Sequence, residues 1–570
     1  MRACQVAGAA VASFLALGGL PVRASAPEGE APEARSRRGM VSSATKEASE
    51  AGARVLAEGG GAVDAAISAA FVLAVTYPQA GNLAGGGFAV VRTAEGGFFA
   101  LDFRETAPAG TWRDTYLDAR GASRPQPSRF GGLAVATPGT VRGLEALHGK
   151  FGRLPWSRLV APAIALARGG YRVPPGLARE LAADRVRRVL SRDPEAARLL
   201  YPRGEPVAAG TLLVQPDLAT TLEAIASRGA DGFHRGDVAR RIAEFVRATG
   251  GVLTGADLAG YAPSWRIPFA FDCGRFRLVT MPPPSAGGFL LASILGQLRF
   301  VRGDISSRDA AETVHLIAEA ERRAYADRNR FLGDPDCVDM PLARLLAPAR
   351  LAALGFSIDP ARATPSREVP GGAWPGERDQ TTHLSSATAD GDAVALTYTL
   401  NDAFGNGTIV PGVGVFLNNE MDDFSAVPGT ANSYGLVQGE ANAVRAGGRP
   451  LSSMVPTIVL ENGRPRFVLG SPGGSTIPTT VLQVFLNAGP RGQTLAEAVA
   501  APRFHHQHLP DRIELESGGF PESVKAALRE KGHVIEERSA LGMVHAIAFE
   551  KDGTLTGVAD PRGYGAAAGP

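Results

Sequence analysis

The residue with the clearest chemical potential in this sequence is a threonine that opens a strand-like segment. Thr381 follows Gln380, the last residue of a stretch rich in proline, glycine and charge, and it begins the segment TTHLSSATADGDAVALTYTLN. A threonine hydroxyl needs an adjacent base to attack an amide, and its own α-amine serves as that base once the preceding bond is cleaved. The pattern fits a threonine nucleophile whose α-amine becomes free when the bond Gln380-Thr381 is cleaved.

The segment after Thr381 predicts a β-hairpin that turns at ADGD. Because side chains alternate with a period of two along a strand, each strand of this hairpin carries a row of polar groups on one face. The rows are Thr381, His383 and Ser385 on the first strand, and Thr397, Thr399 and Asn401 on the second. Taken alone, this pattern also fits an ordinary threonine-rich hairpin.

The elements before the hairpin are mainly helical. Periodicity predicts helices within 40–78, where Gly59 to Gly61 separate two of them, and several amphipathic helices within 139–250. Two strands around an EGG turn follow Gly85 to Gly87. We also expect a strand over 266–281, which Pro282 to Pro284 end, and a helix over His315 to Leu332.

The chain changes character at residue 381. Residues 355–380 have no period and predict a surface loop, after which strand-like segments dominate. Further hairpins are expected over 454–470, around ENG, and at the end of the chain, around KDG. Helices are expected near 475–488 and 520–531.

Composition excludes several classes of protein. The 570 residues are 45% hydrophobic, so a disordered chain is excluded, and the 70 glycines follow no three-residue period, so collagen is excluded. The net charge of +2 gives no general attraction to nucleic acid or to an anionic membrane. Three cysteines exclude a disulfide scaffold. Whether Cys273 and Cys337 pair stays open.

The N-terminal residues resemble a secretory signal. Arg2 precedes an apolar run from about Val6 to Leu20, and small residues follow it, which is the order of a signal peptide over residues 1–26. The apolar run is shorter than a membrane-spanning helix requires. Residues 27–39 predict a disordered leader, and no later segment reaches membrane-spanning length. We therefore expect an exported, periplasmic or secreted bacterial protein with no membrane span.

Other motifs are weak. Ser43 to Lys46 match S-x-x-K, but the K-T-G and S-D-N partners of that motif are absent from the sequence, so we interpret it as a helix start. No Walker A loop, G-x-S-x-G elbow or G-x-G-x-x-G loop is present. His505 to His508 contain three histidines, but adjacent ones point to opposite faces of a strand. They are interpreted as a polar cluster, and no metal is predicted.

Many ordered blocks of the sequence resemble the γ-glutamyltranspeptidases, which are N-terminal-nucleophile hydrolases. They include GGGAVDAAISAAFVLAV, LDFRETAP, MPPPSAGG, the hairpin with LNDAFGNG, GRPLSSMVPTIV, LGSPGG, APRFHHQHLPD and DPRGYGAAAG, and they extend from about Met40 to the C-terminus. The resemblance implies a four-layer αββα sandwich. A large subunit (40–380) and a small catalytic subunit (381–570) would form this single domain as a heterodimer, with no cofactor.

The resemblance also implies roles for the catalytic residues. Thr381 would attack the carbonyl of Gln380 to split the precursor, and it would then attack the substrate with its freed α-amine as general base. Thr399 would hydrogen-bond the nucleophile. The backbone N–H groups of Gly473 and Gly474 would form the oxyanion hole.

The remaining residues carried over by resemblance would bind the substrate. Arg104, Ser452 and Ser453 would hold the α-carboxylate, and Asn401, Glu420 and Asp423 would hold the α-ammonium. Tyr434 would cap the pocket from a lid loop. Two departures from the family are Ala84, where another glycine is usual, and Glu420, where some bacterial members have glutamine. For Glu420 we expect altered affinity or pH dependence, with binding retained.

The resemblance implies glutathione and other γ-glutamyl compounds as substrates, with water, amino acids or dipeptides as acceptors. One alternative is a related acylase acting on cephalosporin side chains or poly-γ-glutamate. A more distant one is an exported binding protein that uses the same pocket without processing. The sequence leaves open the preferred acceptor, the ratio of hydrolysis to transfer, and the oligomeric state.

Overall fold

The structure is a computed structural model, and it describes residues 31–121, 124, 126–301, 309–369, 381–425, 429 and 438–570. The predicted signal peptide, Gln380 and Tyr434 lie outside these described residues. Within them, the chain alternates between helices and strands before residue 381 and is richer in strands after it.

Most of the strands belong to two antiparallel sheets. Within the described residues, both sheets have seven strands, in the orders β1-β18-β17-β13-β12-β9-β8 and β19-β2-β10-β11-β3-β4-β7. The strands are β1 (Glu33–Ser36), β2 (Gly39–Ser43), β3 (Gly86–Arg92), β4 (Phe98–Phe103), β5 (Tyr171–Arg172), β6 (Leu212–Leu213), β7 (Ser264–Arg266), β8 (Phe269–Cys273), β9 (Phe276–Thr280), β10 (Thr382–Thr388), β11 (Ala393–Thr399), β12 (Thr457–Glu461), β13 (Arg464–Leu469), β14 (Phe504–His505), β15 (Ile513–Glu516), β16 (Ile535–Arg538), β17 (His545–Phe549), β18 (Leu555–Ala559) and β19 (Ala566–Ala568).

Helices fill the connections between the strands. They are α1 (Lys46–Ala57), α2 (Ala62–Thr76), α3 (Gln126–Arg129), α4 (Thr140–Phe151), α5 (Trp156–Gly169), α6 (Pro175–Ala182), α7 (Asp184–Leu190), α8 (Pro194–Leu200), α9 (Pro216–Arg228), α10 (Asp231–His234), α11 (Gly236–Ala248), α12 (Gly255–Gly260), α13 (Gly287–Leu298), α14 (Ala310–Phe331), α15 (Leu342–Leu345), α16 (Pro348–Phe356), α17 (Ile477–Ala488), α18 (Leu495–Ala500) and α19 (Glu522–Glu530).

Apolar side chains from the two seven-stranded sheets meet in a shared core. Val90 and Ala395 from one sheet pack with Ile458, Val468 and Ile547 from the other. The opposite face of each sheet packs against helices, α1 and α2 on the sheet that contains β10, and α13, α14 and α17 on its neighbour. Both faces of the central strands are therefore buried, which explains why every residue of β3, β10 and β11 is buried.

The predicted hairpin lies at the centre of its sheet. β10 pairs with β11 so that Thr382 is opposite Tyr398 and His383 is opposite Thr397. β2 flanks β10 on one side and β3 flanks β11 on the other. Because all four strands are held by neighbours on both sides, the start of β10 is a rigid place for a reactive side chain.

Most predicted elements are confirmed, and three predictions from the sequence are wrong. Residues 27–39 were expected to be a disordered leader, but Glu33–Ser36 form β1, because they pair with β18 at the edge of its sheet. Residues Gly39–Ser43 are a strand, because they pair with β10 and β19 on either side, whereas the Ala-rich pattern suggested that a helix begins near Met40. Residues 266–281, predicted as one strand, contain the last residue of β7 and the two strands β8 and β9, which form a hairpin that turns at Gly274, whose φ is +66°. An alternating pattern does not show such a two-residue turn unless its glycine is recognised.

Within the described residues, no helix combines the length and the apolar character needed to cross a membrane. Cys273 and Cys337 are both free thiols, the first partly buried and the second exposed.

Candidate active site

A pocket with about 300 Å³ of space opens beside the start of β10. It is lined by residues from distant parts of the chain, namely Arg104, Arg328, Thr381, Thr399, Glu420, Asp423, Ser452, Ser453, Met454, Gly474, Ser475 and Ile477. Eight residues of this lining were proposed from the sequence. Gly473 and Asn401, which were also proposed, adjoin the pocket without lining it.

Thr381 is buried in this pocket, with only 3% of its surface exposed. Its hydroxyl donates to Thr399 Oγ1 over 3.4 Å, and the same oxygen of Thr399 accepts the N–H of Asn401 at 2.8 Å. Thr399 is therefore held in place by the backbone that leaves β11. Its oxygen orients the Thr381 hydroxyl.

His383 is the histidine that follows Thr381 on the same face of β10, and it is not available as a base. Its Nδ1 is 2.8 Å from Thr397 Oγ1 and its Nε2 is 3.1 Å from Ser385 Oγ, so both ring nitrogens are hydrogen-bonded. Burial, together with the nearby His545, lowers the pKa of His383 well below its ordinary value. The neutral ring is part of the polar row predicted along the hairpin.

The loop after β13 places Gly473 and Gly474 next to the pocket. Gly473 has a φ of +135°, and a Cβ there would lie 2.4 Å from Thr476 Oγ1, so the position requires glycine. The Thr476 hydroxyl donates to the Gly473 carbonyl oxygen at 2.7 Å, which fixes the turn before α17. Backbone groups can therefore approach the Thr381 side of the pocket closely.

Arg104 forms the centre of a buried charged cluster immediately after β4. Its Nη1 donates to Glu420 Oε1 at 2.5 Å and to Glu105 Oε2 at 3.4 Å, and its Nη2 donates to Asp423. Its Nε donates to the Pro450 carbonyl oxygen at 3.2 Å. Glu420 and Asp423 lie on one short 3₁₀ helix, which presents both carboxyl groups to the same guanidinium.

The cluster has three carboxyl groups and only one guanidinium, so the guanidinium cannot neutralise all three carboxylates. Burial raises the pKa of Glu105 to about 7 and that of Glu420 to about 8, although Arg104 opposes both shifts. The pKa of Asp423 is raised well above its ordinary value, again mainly by burial. Arg104 itself keeps its charge, because the three acids outweigh the cost of its burial and raise its pKa. The raised pKa values of the three acids therefore favour protonation of the cluster near neutral pH.

Ser452 and Ser453 line the same pocket as this cluster. Ser452 Oγ accepts the backbone N–H of Met454 at 3.1 Å, and Ser453 Oγ accepts from Arg328 Nη2 at 3.3 Å. Asn401 has a φ of +77° and its side-chain amide donates to the Asn419 carbonyl oxygen at 2.9 Å. Both serine oxygens are thus already acceptors.

Two charged residues of the site, one in the Arg104 cluster and one in the pocket lining, were missed from the sequence. Glu105 directly follows Arg104 in the LDFRE block, and a second charged residue next to a proposed ligand was the available signal. Arg328 lies on α14, three and four residues after Tyr325 and Ala324, which are fully buried. An arginine on the apolar face of a helix was the signal there.

One group of three possible metal ligands lies away from the pocket, within the parts of the chain that are described. His315, Glu319 and His533 have ligand atoms within 4.8 Å of one another. His315 Nδ1 and His533 Nε2 are hydrogen-bonded at 2.7 Å, and Glu319 accepts from Arg322 and Arg323. The neighbouring guanidinium groups disfavour a cation, so we interpret the group as structural.

The histidines of the sequence HHQH are bound to protein groups. His505 Nδ1 is 2.9 Å from Thr479 Oγ1, and its Nε2 is 2.9 Å from Gln507 Oε1. His508 Nε2 lies 3.0 Å from the carbonyl oxygen of Ser366 and 3.2 Å from that of Val369. The segment therefore anchors residues 366–369, the last described residues before 381.

The amino-acid sequence matches the family model described as gamma-glutamyltranspeptidase over residues 48–570. A glutathione hydrolase proenzyme of Escherichia coli (strain K12) is 44% identical over 529 residues, which cover 93% of this chain and 91% of that protein. An acylase ACY 1 proenzyme of Pseudomonas sp. (strain V22) is 36% identical and covers 93% of each chain.

Solved structures of related proteins share the fold. Cephalosporin acylase from Bacillus halodurans matches with a TM-score of 0.81 and 26% identity, over 96% of this chain and 99% of that chain. The gamma-glutamyltranspeptidase of Helicobacter pylori matches with a TM-score of 0.55 and 39% identity, over 57% of this chain and 93% of that chain. The mixed fold of antiparallel sheets and helices is therefore common to this chain and these proteins.

Proposed function

The chain belongs to the γ-glutamyltranspeptidase family, and we propose that it is a self-processing γ-glutamyltransferase and glutathione hydrolase whose nucleophile is Thr381. The observation that carries this proposal is that Thr381 shares one pocket with the buried Arg104 cluster. The Thr381 hydroxyl is bonded to Thr399, and the acids and hydroxyls of a zwitterion site lie in the same pocket. The name of the 44% identical relative supports the same activity.

Processing comes first. Thr381 Oγ attacks the carbonyl carbon of Gln380, the bond from that carbon to the Thr381 nitrogen breaks, and an ester forms while the α-amine is released. Water then hydrolyses the ester, which leaves a carboxylate on Gln380 and a free hydroxyl on Thr381. The products are the chains 40–380 and 381–570, held together as a heterodimer in one four-layer αββα domain. The word proenzyme in the relatives' names supports this step.

The mature enzyme repeats the same attack on its substrate. Thr381 Oγ attacks the γ-carbonyl carbon, and its proton passes to the α-amine of Thr381. The backbone N–H groups of Gly473 and Gly474 stabilise the negative oxygen. The protonated α-amine then gives its proton to the leaving nitrogen. The resulting γ-glutamyl ester is released by water or by the amine of an amino acid or dipeptide.

The charged cluster recognises the amino-acid head of the substrate. The α-ammonium binds between Glu420, Asp423 and the side-chain oxygen of Asn401, and it displaces protons from the cluster. The α-carboxylate binds to Arg104 and to the hydroxyls of Ser452 and Ser453. This selects γ-glutamyl amides, because the carbonyl at the far end of the side chain then meets Thr381. Tyr434 would close the pocket, as the resemblance implies. No metal or cofactor is proposed.

A related acylase activity is the second candidate, because an acylase ACY 1 proenzyme and a cephalosporin acylase are among the proteins similar to this chain. The acidic cluster favours the γ-glutamyl substrate, since glutaryl or cephalosporin side chains without an ammonium bring no second cation to balance Glu420 and Asp423 beside Arg104. We also propose export to the periplasm or medium, on the basis of the N-terminal sequence. Turnover of γ-glutamyl-anilide and glutaryl-anilide by the same preparation separates the two activities.

The variant Thr381→Ala tests the proposed function, with Thr382→Ala as the matched control, since Thr382 is equally buried but is not part of the pocket lining. We expect the wild type and T382A to show two bands on a denaturing gel. N-terminal sequencing of the small band should read Thr-Thr-His for the wild type and Thr-Ala-His for T382A. T381A should show one band and no turnover of γ-glutamyl-anilide. A wild-type chain that stays whole and inert would contradict the proposal.

A further inference from the structure

Arg328 is a second guanidinium in the pocket, and the proposed function gives it no role. It lies near the end of α14, only 1% of its surface is exposed, and it lines the pocket together with Thr381. Its Nη1 donates to Asn329 Oδ1 at 3.0 Å and to Gln438 Oε1 at 3.2 Å. Its Nη2 donates to Ser453 Oγ at 3.3 Å.

No carboxylate of the described residues forms an ion pair with Arg328. All of its described partners are neutral oxygens, whereas Arg104 contacts three acids. Burial lowers the pKa of Arg328 to about 10, so the group still carries its charge at neutral pH. Asp423 lies near enough to raise this pKa, but it does not form an ion pair with Arg328. A buried charge without an ion-pair partner is costly, and such groups mark candidate functional sites.

The contact with Ser453 has a direct consequence for ligand binding. A guanidinium has only donors, so Ser453 Oγ must act as the acceptor in this hydrogen bond. The Ser453 hydroxyl hydrogen is then left to donate to a ligand. Ser452 is in the same state, because its Oγ accepts the N–H of Met454. The two hydroxyls are thereby set as a pair of donors on one wall of the pocket.

We propose that Arg328 is a positioning residue that, through Ser453, gives the pocket its selectivity for the α-carboxylate of the γ-glutamyl donor. This inference rests on the proposed function and adds a second cation to it. Arg104 alone faces Glu105, Glu420 and Asp423 and cannot balance a further carboxylate. Arg328 supplies that positive charge in the same pocket, through its hydrogen bond to Ser453.

The test compares Arg328→Gln and Arg328→Lys with the control Arg330→Gln, an exposed arginine of the same helix. Loss of a charged interaction should raise the KM for γ-glutamyl-p-nitroanilide on the order of 10- to 100-fold in R328Q, with kcat within about threefold. R328K keeps the positive charge but loses the planar set of guanidinium donors, so its KM should rise less than that of R328Q. R330Q should match the wild type.

Two competitive inhibitors separate a role in carboxylate recognition from a general structural role. L-glutamate has the α-carboxylate and 4-aminobutyrate lacks it. R328Q should weaken inhibition by glutamate by the same factor as KM and leave inhibition by 4-aminobutyrate within about twofold. Equal weakening of both inhibitors, or an unchanged KM, would overturn the role of Arg328. If the R328Q chain is not cleaved at Gln380-Thr381, the inhibition constants of glutamate and 4-aminobutyrate are measured on R328K instead. The same comparison then tests the role of Arg328.

The result is separate from the test of the proposed function. Absence of γ-glutamyl turnover in the wild type would contradict the proposed function itself. Wild-type turnover with an unaffected R328Q variant contradicts only the inference about Arg328.

Discussion

Two buried clusters of arginine and carboxylate side chains in this molecule differ in their charge balance. The pocket cluster, Arg104 with Glu105, Glu420 and Asp423, has one guanidinium for three acids. The helix cluster, Arg322 and Arg323 of α14 with Glu319 and Asp511, has two of each. Glu319 accepts from Arg322 at 3.1 Å and from Arg323 at 2.7 Å, and Arg322 also donates to Asp511.

The pKa values of the acids follow the charge balance. In the helix cluster, burial of Glu319 is outweighed by Arg322 and Arg323, which lower its pKa to about 2. In the pocket cluster, burial outweighs Arg104, and the pKa of Glu420 rises to about 8. The helix cluster has equal numbers of positive and negative groups, so it stabilises the fold without a ligand. The pocket cluster has too few positive groups, and a ligand with a cation restores its charge balance.

The largest expected effect is on the helix cluster. Glu319→Gln leaves Arg322 and Arg323 without their shared buried counter-ion, so the free energy of unfolding should fall by about 3–5 kcal/mol. Urea unfolding in a Thr381→Ala background measures this on a single uncleaved chain. The control Glu530→Gln, an exposed residue of α19, should change stability by less than about 0.5 kcal/mol. An E319Q variant as stable as E530Q would remove the distinction between the two clusters.

The matched change in the pocket cluster should affect binding instead of stability. Below pH 4.5 the Glu420 carboxyl is protonated in both the folded and the unfolded chain, so Glu420→Gln should change the free energy of unfolding there by less than about 1 kcal/mol. The complex loses a charge opposite the α-ammonium, and the KM for γ-glutamyl-anilide should rise about tenfold. Inhibition by glutarate, which has no ammonium, should be unchanged. A loss of stability equal to that of E319Q would contradict this prediction.

The two clusters should also give opposite dependence of stability on pH. A raised pKa means that folding favours the protonated acid, so the contribution of Glu420 is complete below pH 4.5 and is lost as pH rises towards 8. A lowered pKa means the reverse, so the contribution of Glu319 is present above pH 4.5 and is lost as pH falls towards 2. Urea midpoints should be measured from pH 3 to pH 8. E420Q should reduce the change of the midpoint with pH between pH 4.5 and pH 8, and E319Q should reduce it below pH 4.5. Identical profiles for both variants would contradict the pKa directions.

The sequence allowed more of the site to be predicted than of its electrostatics. The hairpin of Thr381 and its two polar rows follow from a period of two and an ADGD turn, and the structure confirms the hairpin with the expected register. The roles of Arg104 and Glu420 could be proposed only by resemblance. The ion pair between Arg104 and Glu420 could not be predicted, because it joins residues 316 positions apart and no local sequence pattern indicates such a contact.

The errors in the fold have similar causes. Met40 lies in a run that is rich in alanine and serine, and it became a strand because β10 and β19 flank it, which is tertiary context overriding propensity. Arg328 was missed because helical periodicity predicts α14 without showing which of its side chains reach a pocket. Its contact with Ser453 depends on where α14 crosses the pocket, which sequence periodicity does not specify.

The smallest expected effect lies within the helix cluster and shows how exposure limits an ion pair. The side chain of Asp511 is 40% exposed, whereas that of Glu319 is fully buried. Water therefore screens the charge of Asp511, and Arg322 keeps Glu319 as a partner after its loss. Asp511→Asn also retains an oxygen that can accept the Ser366 N–H, which the carboxylate accepts at 2.7 Å. The free energy of unfolding should thus fall by only about 1 kcal/mol in urea titrations. A loss of 3 kcal/mol or more, equal to that expected for E319Q, would mean that charge balance alone, and not burial, governs this cluster.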